Sequence, residues 1–350
     1  MNAIIPSIRI EGRDADYIEA QYRSNGGLTA ATLQFKLPLE FDGYRKLWNK
    51  EVTCYLHEHD SIPIFRGWIK RIKEDFNEIE IYAQDAIGYM LLGGDPGKAK
   101  VALTNENNLD GLTVGQAIRE LFVMAKLDTK IGTAMIGDTT PRVTASVPPI
   151  RGTLGVLEIV KQLITRAVDN SGSVPRPNIG RIVDDGSQSQ FILELESDLN
   201  SSPLSYTFSE ETNITDLKII NRKVPTVIIV NGDKNVRGTF THEGAIAAYD
   251  RNYLEVNNNS LKSVAECVDF AQKIFRANLE NQYEYGIETF EGADLSENDV
   301  IRINTDNPTF SGNYRVRGKQ ISFSPNSFSL GITINRKPPT LAEFIKQQDN

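Results

Sequence analysis

Strict two-residue alternation at the two ends of the chain limits the folds open to it. Near the start, Leu33, Phe35 and Leu37 alternate with Thr32, Gln34 and Lys36. Val52, Cys54 and Leu56 alternate with Thr53, Tyr55 and His57, and Ile79, Ile81 and Ala83 with Glu78, Glu80 and Tyr82. A period of two sends each apolar set to one face of a sheet. Turn residues separate the runs, at Asn25-Gly26-Gly27, Asp42-Gly43, His59-Asp60-Ser61 and Asp75-Phe76-Asn77, so the segment reads as a small barrel or sandwich of short strands. A second run of strands occupies 285–335, through Ile287, Val300-Ile301, Ile303, Tyr314, Val316, Ile321, Phe323, Leu330, Ile332 and Ile334.

The two ends share a plan. Phe65-Arg66-Gly67-Trp68-Ile69-Lys70-Arg71-Ile72 leads through a turn into an alternating strand ending at Ala83. Tyr314-Arg315-Val316-Arg317-Gly318-Lys319-Gln320-Ile321 leads through Pro325-Asn326 into another ending at Ile334. Each is aromatic, basic, glycine, basic, then a hairpin. If Trp68 is buried there, Trp68→Asp should disrupt the first barrel.

Between these ends the pattern is mixed. Val114, Ala117, Ile118, Leu121, Phe122 and Ala125 make an amphipathic helix over 113–126. Leu154, Leu157, Val160, Ile164 and Ala167 make another over 153–168, with Thr153 as its cap. Residues 170–186, rich in Gly, Ser, Pro and Asp, read as a loop, and Phe191–Leu195 returns to alternation. The longest helix is expected over 260–281, capped by Ser260, with Leu261, Val264, Val268, Ala271 and Phe275 on one face.

The chain has 350 residues, more than one compact domain usually holds. With 40% hydrophobic and 24% charged residues it is globular in composition, not disordered. The net charge is −8, and no Lys/Arg stripe supplies the counterion release that stable nucleic-acid binding needs. Residues 1–9 lack the basic region and apolar core of a secretory signal. No run approaches the ~18 apolar residues of a membrane span, so a soluble product made in the cytoplasm is expected. Cys54 and Cys267 have no metal spacing and read as buried thiols.

Residues with chemical potential fall short of a motif. His57 and His59 would point to one side of a strand, but no third ligand accompanies them. His242 lacks the second histidine of a zincin helix. Glu194 with Glu196, and Asp184 with Asp185, are carboxylate pairs, yet sequence neighbours do not define the cleft separation a glycosidase needs. Asp294, Glu297 and Asp299 lack the register of a calcium loop. Nucleophile elbow, P-loop and dinucleotide fingerprint are all missing. No catalytic, cofactor-binding or metal residue is nominated. Tyr249, Tyr253, Tyr283 and Tyr285 are candidates for an aromatic carbohydrate platform.

Ile64-Phe65-Arg66-Gly67-Trp68-Ile69 leading to Ile79-Glu80-Ile81-Tyr82-Ala83-Gln84-Asp85, then Asn259-Ser260-Leu261-Lys262-Ser263 before a helix, then Gly312-Asn313-Tyr314-Arg315-Val316 and Ser322-Phe323-Ser324-Pro325, carry a resemblance in that order. The chain resembles the baseplate hub family of phage tails, which includes the late control D proteins and the hub portion of secretion-system spikes. The resemblance implies a β-rich α+β fold with two tube-type β-barrel domains and an inserted mixed α/β domain. The first barrel would take 1–92 and the inserted domain 93–211. The second barrel would take 212–245 and 282–337, with a helical insertion at 246–281 and a tail at 338–350. It implies a non-enzymatic homotrimer, a pseudo-sixfold ring that adapts a sixfold tail tube to a threefold spike or fibre. Its expected partners are a tail tube or distal tail protein, a separate spike or central fibre protein, a tape measure protein, and DNA as transiting cargo. No cofactor and no stable membrane association are implied, and the expected location is the virion tail tip, assembled in the host cytoplasm. The alternatives are a tail-associated cell-wall hydrolase and the hub of a bacterial contractile injection system.

Overall fold

The computed structural model describes residues 6–26, 28–41, 43–57, 60–88, 100–104, 108–136, 150, 152–166, 168–169, 176–197, 199–221, 224–258, 261–280, 283–306 and 310–335. The chain divides into two compact units, Met1–Thr215 with Glu288–Ile332, and Asp216–Ile287 with Thr333–Asn350. No helix among the described residues is long and apolar enough to cross a membrane.

The alternating runs at the start of the chain become β1 (Ser7–Ile10), β2 (Arg13–Asp14), β3 (Glu19–Ser24), β4 (Thr32–Pro38), β5 (Glu51–Tyr55), β6 (Phe65–Glu74) and β7 (Glu78–Gln84). Their apolar sets share one face. Leu33, Phe35, Leu37, Val52, Cys54, Phe65, Ile69, Ile79 and Ile81 are all buried, as period-two patterning requires of a half-buried sheet.

The middle segment builds β8 (Lys100–Leu103), α1 (Val114–Met124), β9 (Ile131–Gly132), β10 (Gly152–Gly155), α2 (Val156–Arg166), β11 (Val168–Asp169), β12 (Arg176–Asp184) and β13 (Ser189–Leu195). Thr113 and Gln116 close a reciprocal capping box at the start of α1. Thr153 does not cap α2. It lies in β10, paired with Ala102 of β8, and the helix begins at Val156. Nor is 170–186 a loop throughout, because β12 forms a seven-rung antiparallel ladder with β13, from Asn178↔Leu195 to Asp184↔Ser189. Phe122 of α1 meets Phe191 of β13 edge to face at 5.5 Å. The core around them also takes in Leu28, Ala86 and Ile87 from the first strand cluster. Trp68 is half-buried and packs against this same middle core.

The chain continues through β14 (Leu204–Ser209) and β15 (Ile214–Asn221), which carries it into the second unit. There β16 (Val227–Asn231), β17 (Arg237–Thr241), α3 (Glu243–Tyr249), β18 (Tyr253–Asn257) and α4 (Val264–Glu280) follow. β17 and β18 pair on either side of β16 in a three-stranded sheet of their own rather than with the strands of 282–337. The segment 246–281, expected to be helical, includes β18, which runs parallel to β16. Ile228, Val230, Ala245, Cys267, Ala271 and Phe275 form the core beneath α4, while Val264 is exposed. Ser260 lies outside the described residues, and Ser263 Oγ accepts the Glu266 amide at the start of α4.

β19 (Tyr283–Thr289) returns the chain to the first unit, followed by β20 (Val300–Asn304), β21 (Gly312–Ser324) and β22 (Ser327–Asn335). In this unit one large curled sheet runs β21-β3-β4-β7-β6-β5-β1-β2, with β20 and β22 also beside β21, and β14 runs parallel to β20. From β21 to β6 every neighbouring pair is antiparallel, so β21, β4 and β6 run one way and β3 and β7 the other. The β6–β7 and β21–β22 hairpin tips therefore lie at the same end of the sheet. The tail after 335 lies outside the described residues.

Candidate functional site

The two ends repeat a hydrogen-bond register, although it sets Gly67 level with Tyr314 rather than with Gly318. Asn49 and Asn298 both adopt left-handed backbone, with φ of 60° and 74°. Asn49 donates its amide to Ile69 O, and Ile69 donates to Lys50 O. Asn298 donates to Val316 O, and Val316 donates to Asp299 O. The ladders that follow keep step, Glu51↔Trp68 and Val52↔Gly67 in one, Val300↔Arg315 and Ile301↔Tyr314 in the other. At the far end of each long strand a two-residue turn follows, Phe76-Asn77 after Asp75 and Pro325-Asn326 after Ser324. Aligning the letters from the turns alone leaves the strand starts two residues out of step, because β21 is longer between the two landmarks. The shared glycines have a physical cause. A Cβ on Gly67 would sit 2.3 Å from Gln84 O, and one on Gly318 2.3 Å from Ser24 O, so each marks a close backbone approach.

Three arginines of the two motifs, Arg66, Arg315 and Arg317, grip one element, the β12–β13 hairpin and the residues that follow it. At its tip, Arg66 reaches Asp184 at 2.5 Å, Glu51 at 2.8 Å and Gly186 O at 3.1 Å. At its base, Arg315 and Arg317 converge on Glu196 at 2.9 and 2.6 Å. Between them Glu194 accepts from Arg181 at 3.0 Å and from Asn298 Nδ2 at 3.1 Å, while Asn298 Oδ1 accepts the Ser197 amide. The carboxylates singled out in the sequence are thus held in ion pairs and turns. Asp185 is kept well below the usual carboxylate range by the Gln188 amide and by Ser187 and Gln190.

Beside the hairpin tip a cavity of about 330 Å³ is lined by Asp184, Arg181, Asp294, Glu297 and Lys319, among others. The Lys319 ammonium donates to Ala293 O and Leu295 O at 2.5 and 2.8 Å. Burial pulls it down to about 8, against the opposing attraction of Asp294 and Asp299. Asp299 Oδ2 accepts the Ser296 amide, so this cluster folds its own loop.

The histidines do not converge. His57 donates its backbone amide to Asp60, and His59 lies outside the described residues. His242 caps α3, its Nδ1 accepting the Ala245 amide, with its ring stacked on Phe275 at 4.7 Å. No group of three or more His, Cys, Asp or Glu among the described residues is placed to hold a metal ion. Of the tyrosines, Tyr253 is exposed and Tyr285 half-buried, and the side chains of Tyr249 and Tyr283 lie outside the described residues.

No family model matches the chain, and no curated protein matches its sequence. Solved structures do match its fold. The tail protein of Neisseria meningitidis MC58 is similar at TM-score 0.63 and 11% identity, over 95% of this chain and 96% of that one. The 43 kDa tail protein of prophage MuSo2 from Shewanella oneidensis is similar at TM-score 0.63 and 8% identity, over 97% and 100%. The E. coli c3393 protein is a component of the type VI secretion system with structural similarity to the T4 tail proteins gp27 and gp5. It matches at TM-score 0.56 and 12% identity, over 95% and 79%. The fold is one shared with these phage tail and secretion-system proteins.

Proposed function

We propose that this protein is a structural, non-catalytic hub of a phage-type tail tip that closes into a threefold ring of six like β modules. The observation that carries this reading is the repeated register about Asn49 and Asn298, in two halves that join edge to edge through β21 and β3, Lys319↔Ser24 to Phe323↔Ala20. That junction is heterologous, the long strand of one half meeting an edge strand of the other, and a heterologous contact repeated between copies gives a ring when its rotation closes. The first module is built on β1–β7 and the second on β20–β22, with the middle domain inserted between them. Such a ring meets a sixfold tube on one side and a threefold spike or fibre on the other, and DNA passes through it. The tail folds that match this one support the reading.

Counted back from the two turns, the stretch of β6 corresponding to Lys319–Phe323 is Lys70–Glu74, with Arg71-Ile72-Lys73 at its middle, where a neighbouring copy's strand adds. The test is the solution mass of the purified chain, with and without a tail-tube partner. Three times 39.0 kDa is expected. Ile72→Pro, and separately Arg71→Glu with Lys73→Glu, should yield folded monomers. A wild-type chain that stays monomeric with its partners overturns the ring. The secretion component among the matches favours a second reading, the hub of a bacterial injection apparatus, and the genes flanking this one decide between virion and apparatus.

A further inference from the structure

We infer that Phe76 is an apolar stud by which the ring presents a threefold pattern on one of its rims. The inference rests on the ring proposed above and adds which rim meets the threefold partner, and through which residue. Phe76 occupies the tip of the β6–β7 hairpin and is 93% exposed. Its turn is built rather than slack, since Asp75 Oδ1 accepts the Phe76 amide at 2.8 Å and Asp75 N donates to Glu78 O at 2.9 Å. Leu39, 39% exposed, directly follows Pro38, which pairs with Glu78 across β4 and β7. A fixed, protruding phenylalanine beside a second exposed apolar residue is an arrangement water disfavours and an apolar socket accepts.

The repeat gives the stud its meaning. The corresponding turn on β21–β22 is Pro325-Asn326, held differently, with Ser324 Oγ accepting the Asn326 amide at 3.4 Å and lying 2.8 Å from Ser327 Oγ. It carries no large apolar side chain. Because β6 and β21 run the same way through the sheet, both tips lie at its same end. Three copies would therefore line one rim with alternating tips, apolar then polar, so that a ring of six similar modules offers three equivalent apolar studs. A sixfold partner cannot use that alternation equally at all six positions. A threefold partner with three apolar sockets can.

The test places the photoreactive residue benzoylphenylalanine at 76, and separately at 326, in chains expressed in cells that assemble whole tails. Illumination should join position 76 to a protein that is itself trimeric when purified, with little of that adduct from 326. Phe76→Ser should leave the mass of the isolated ring unchanged and weaken association with that protein roughly ten- to hundredfold, the loss expected when a buried phenylalanine contact is deleted. An adduct at 76 with a hexameric protein, with another copy of this chain, or with nothing in the assembled tail overturns the stud. A ring that Phe76→Ser itself disperses does the same. A wild-type chain that is not trimeric within the tail removes the ring on which the inference stands.

Discussion

Asn49 and Asn298 do the same backbone work and different side-chain work. Each turns the chain into a strand through a left-handed residue and opens a matched pair of hydrogen bonds to a long strand. Only Asn298 also binds the middle hairpin, through Ser197 and Glu194. Glycine preserves the turn at either site. Asn49→Gly should therefore change unfolding free energy by less than ~0.5 kcal/mol, while Asn298→Gly should cost ~1–2 kcal/mol by stripping partners from the part-buried Ser197 amide and Glu194 carboxylate. Chemical denaturation of the two variants checks this, and equal costs would show that the hairpin contacts carry no weight.

Glu196 holds two arginines at once. Glu196→Gln should destabilise the chain by about 2–3 kcal/mol, below the cost of breaking a fully buried pair, since its side chain is 19% exposed. Glu194→Gln should cost less, with one arginine and one asparagine as partners. The same variants address the hydrolase alternative. Incubated with purified cell wall, the wild-type chain should release no soluble fragments. Release that both variants abolish would make these carboxylates catalytic.

Lys319 gives stability an alkaline signature. Its folded value of about 8 lies below the unfolded value. Through the interval from about 8 to about 10.4 the unfolded chain holds more protons, so stability rises with pH by up to ~3 kcal/mol. Below that interval both states are protonated and the cost of burying the charge is fully present. Lys319→Met should flatten this slope relative to wild type. The comparison must be a difference, because Tyr22, whose buried phenol is pushed up, acts in the opposite sense at higher pH.

Asp85 behaves as the acidic counterpart. Burial pushes its carboxyl up to about 6, opposed by the amides of Gly88, Ala31 and Ile87. The folded state then binds more protons between roughly 4 and 6, so stability falls as pH rises through that window. Asp85→Asn keeps an oxygen for the Gly88 amide. It should stabilise the chain by up to ~2 kcal/mol at pH 7 and by almost nothing at pH 4, read from melting temperatures.

Gly318→Ala tests the joint between the halves. The added methyl meets the Ser24 carbonyl, a backbone atom that can yield only by moving β3. A loss of ~1–3 kcal/mol is expected, with hydrogen exchange accelerating first in Lys319–Phe323 and Ala20–Ser24. Exchange that accelerates elsewhere first would place the weak point away from this joint.

Alternation made β4, β5 and β7 legible, since Leu33-Phe35-Leu37 and Ile79-Ile81-Ala83 carry their burial in their spacing. Where partner and propensity disagree, spacing was not enough. Gly152-Thr153-Leu154-Gly155 looks like a helix start, but pairing with β8 makes it a strand. Arg176–Asp184 has loop composition, and its ladder to β13 overrides that. β18 alternates, with Leu254 packed against the core beneath α4, but it lies between two helices and pairs in parallel, so its partner is remote in the chain. The grip on the hairpin was hidden for a different reason. Arg66 and Asp184 are 118 positions apart, and no local pattern announces an ion pair closed by the tertiary fold. Both glycines of the echo sit where a Cβ would strike a neighbouring carbonyl, but on different neighbours, Gln84 of β7 and Ser24 of β3, and in the ladders Gly67 stands level with Tyr314 rather than with Gly318.

Leu28, Ala86 and Ile87 belong by sequence to the opening strands and by packing to the helices beyond them. Evolution therefore cannot treat the middle of this chain as a removable cassette. Excising it would bare those three side chains to water, and grafting it elsewhere would leave a socket with nothing to fill it. Change in either part must be answered in the other, and natural variants should show the two drifting together.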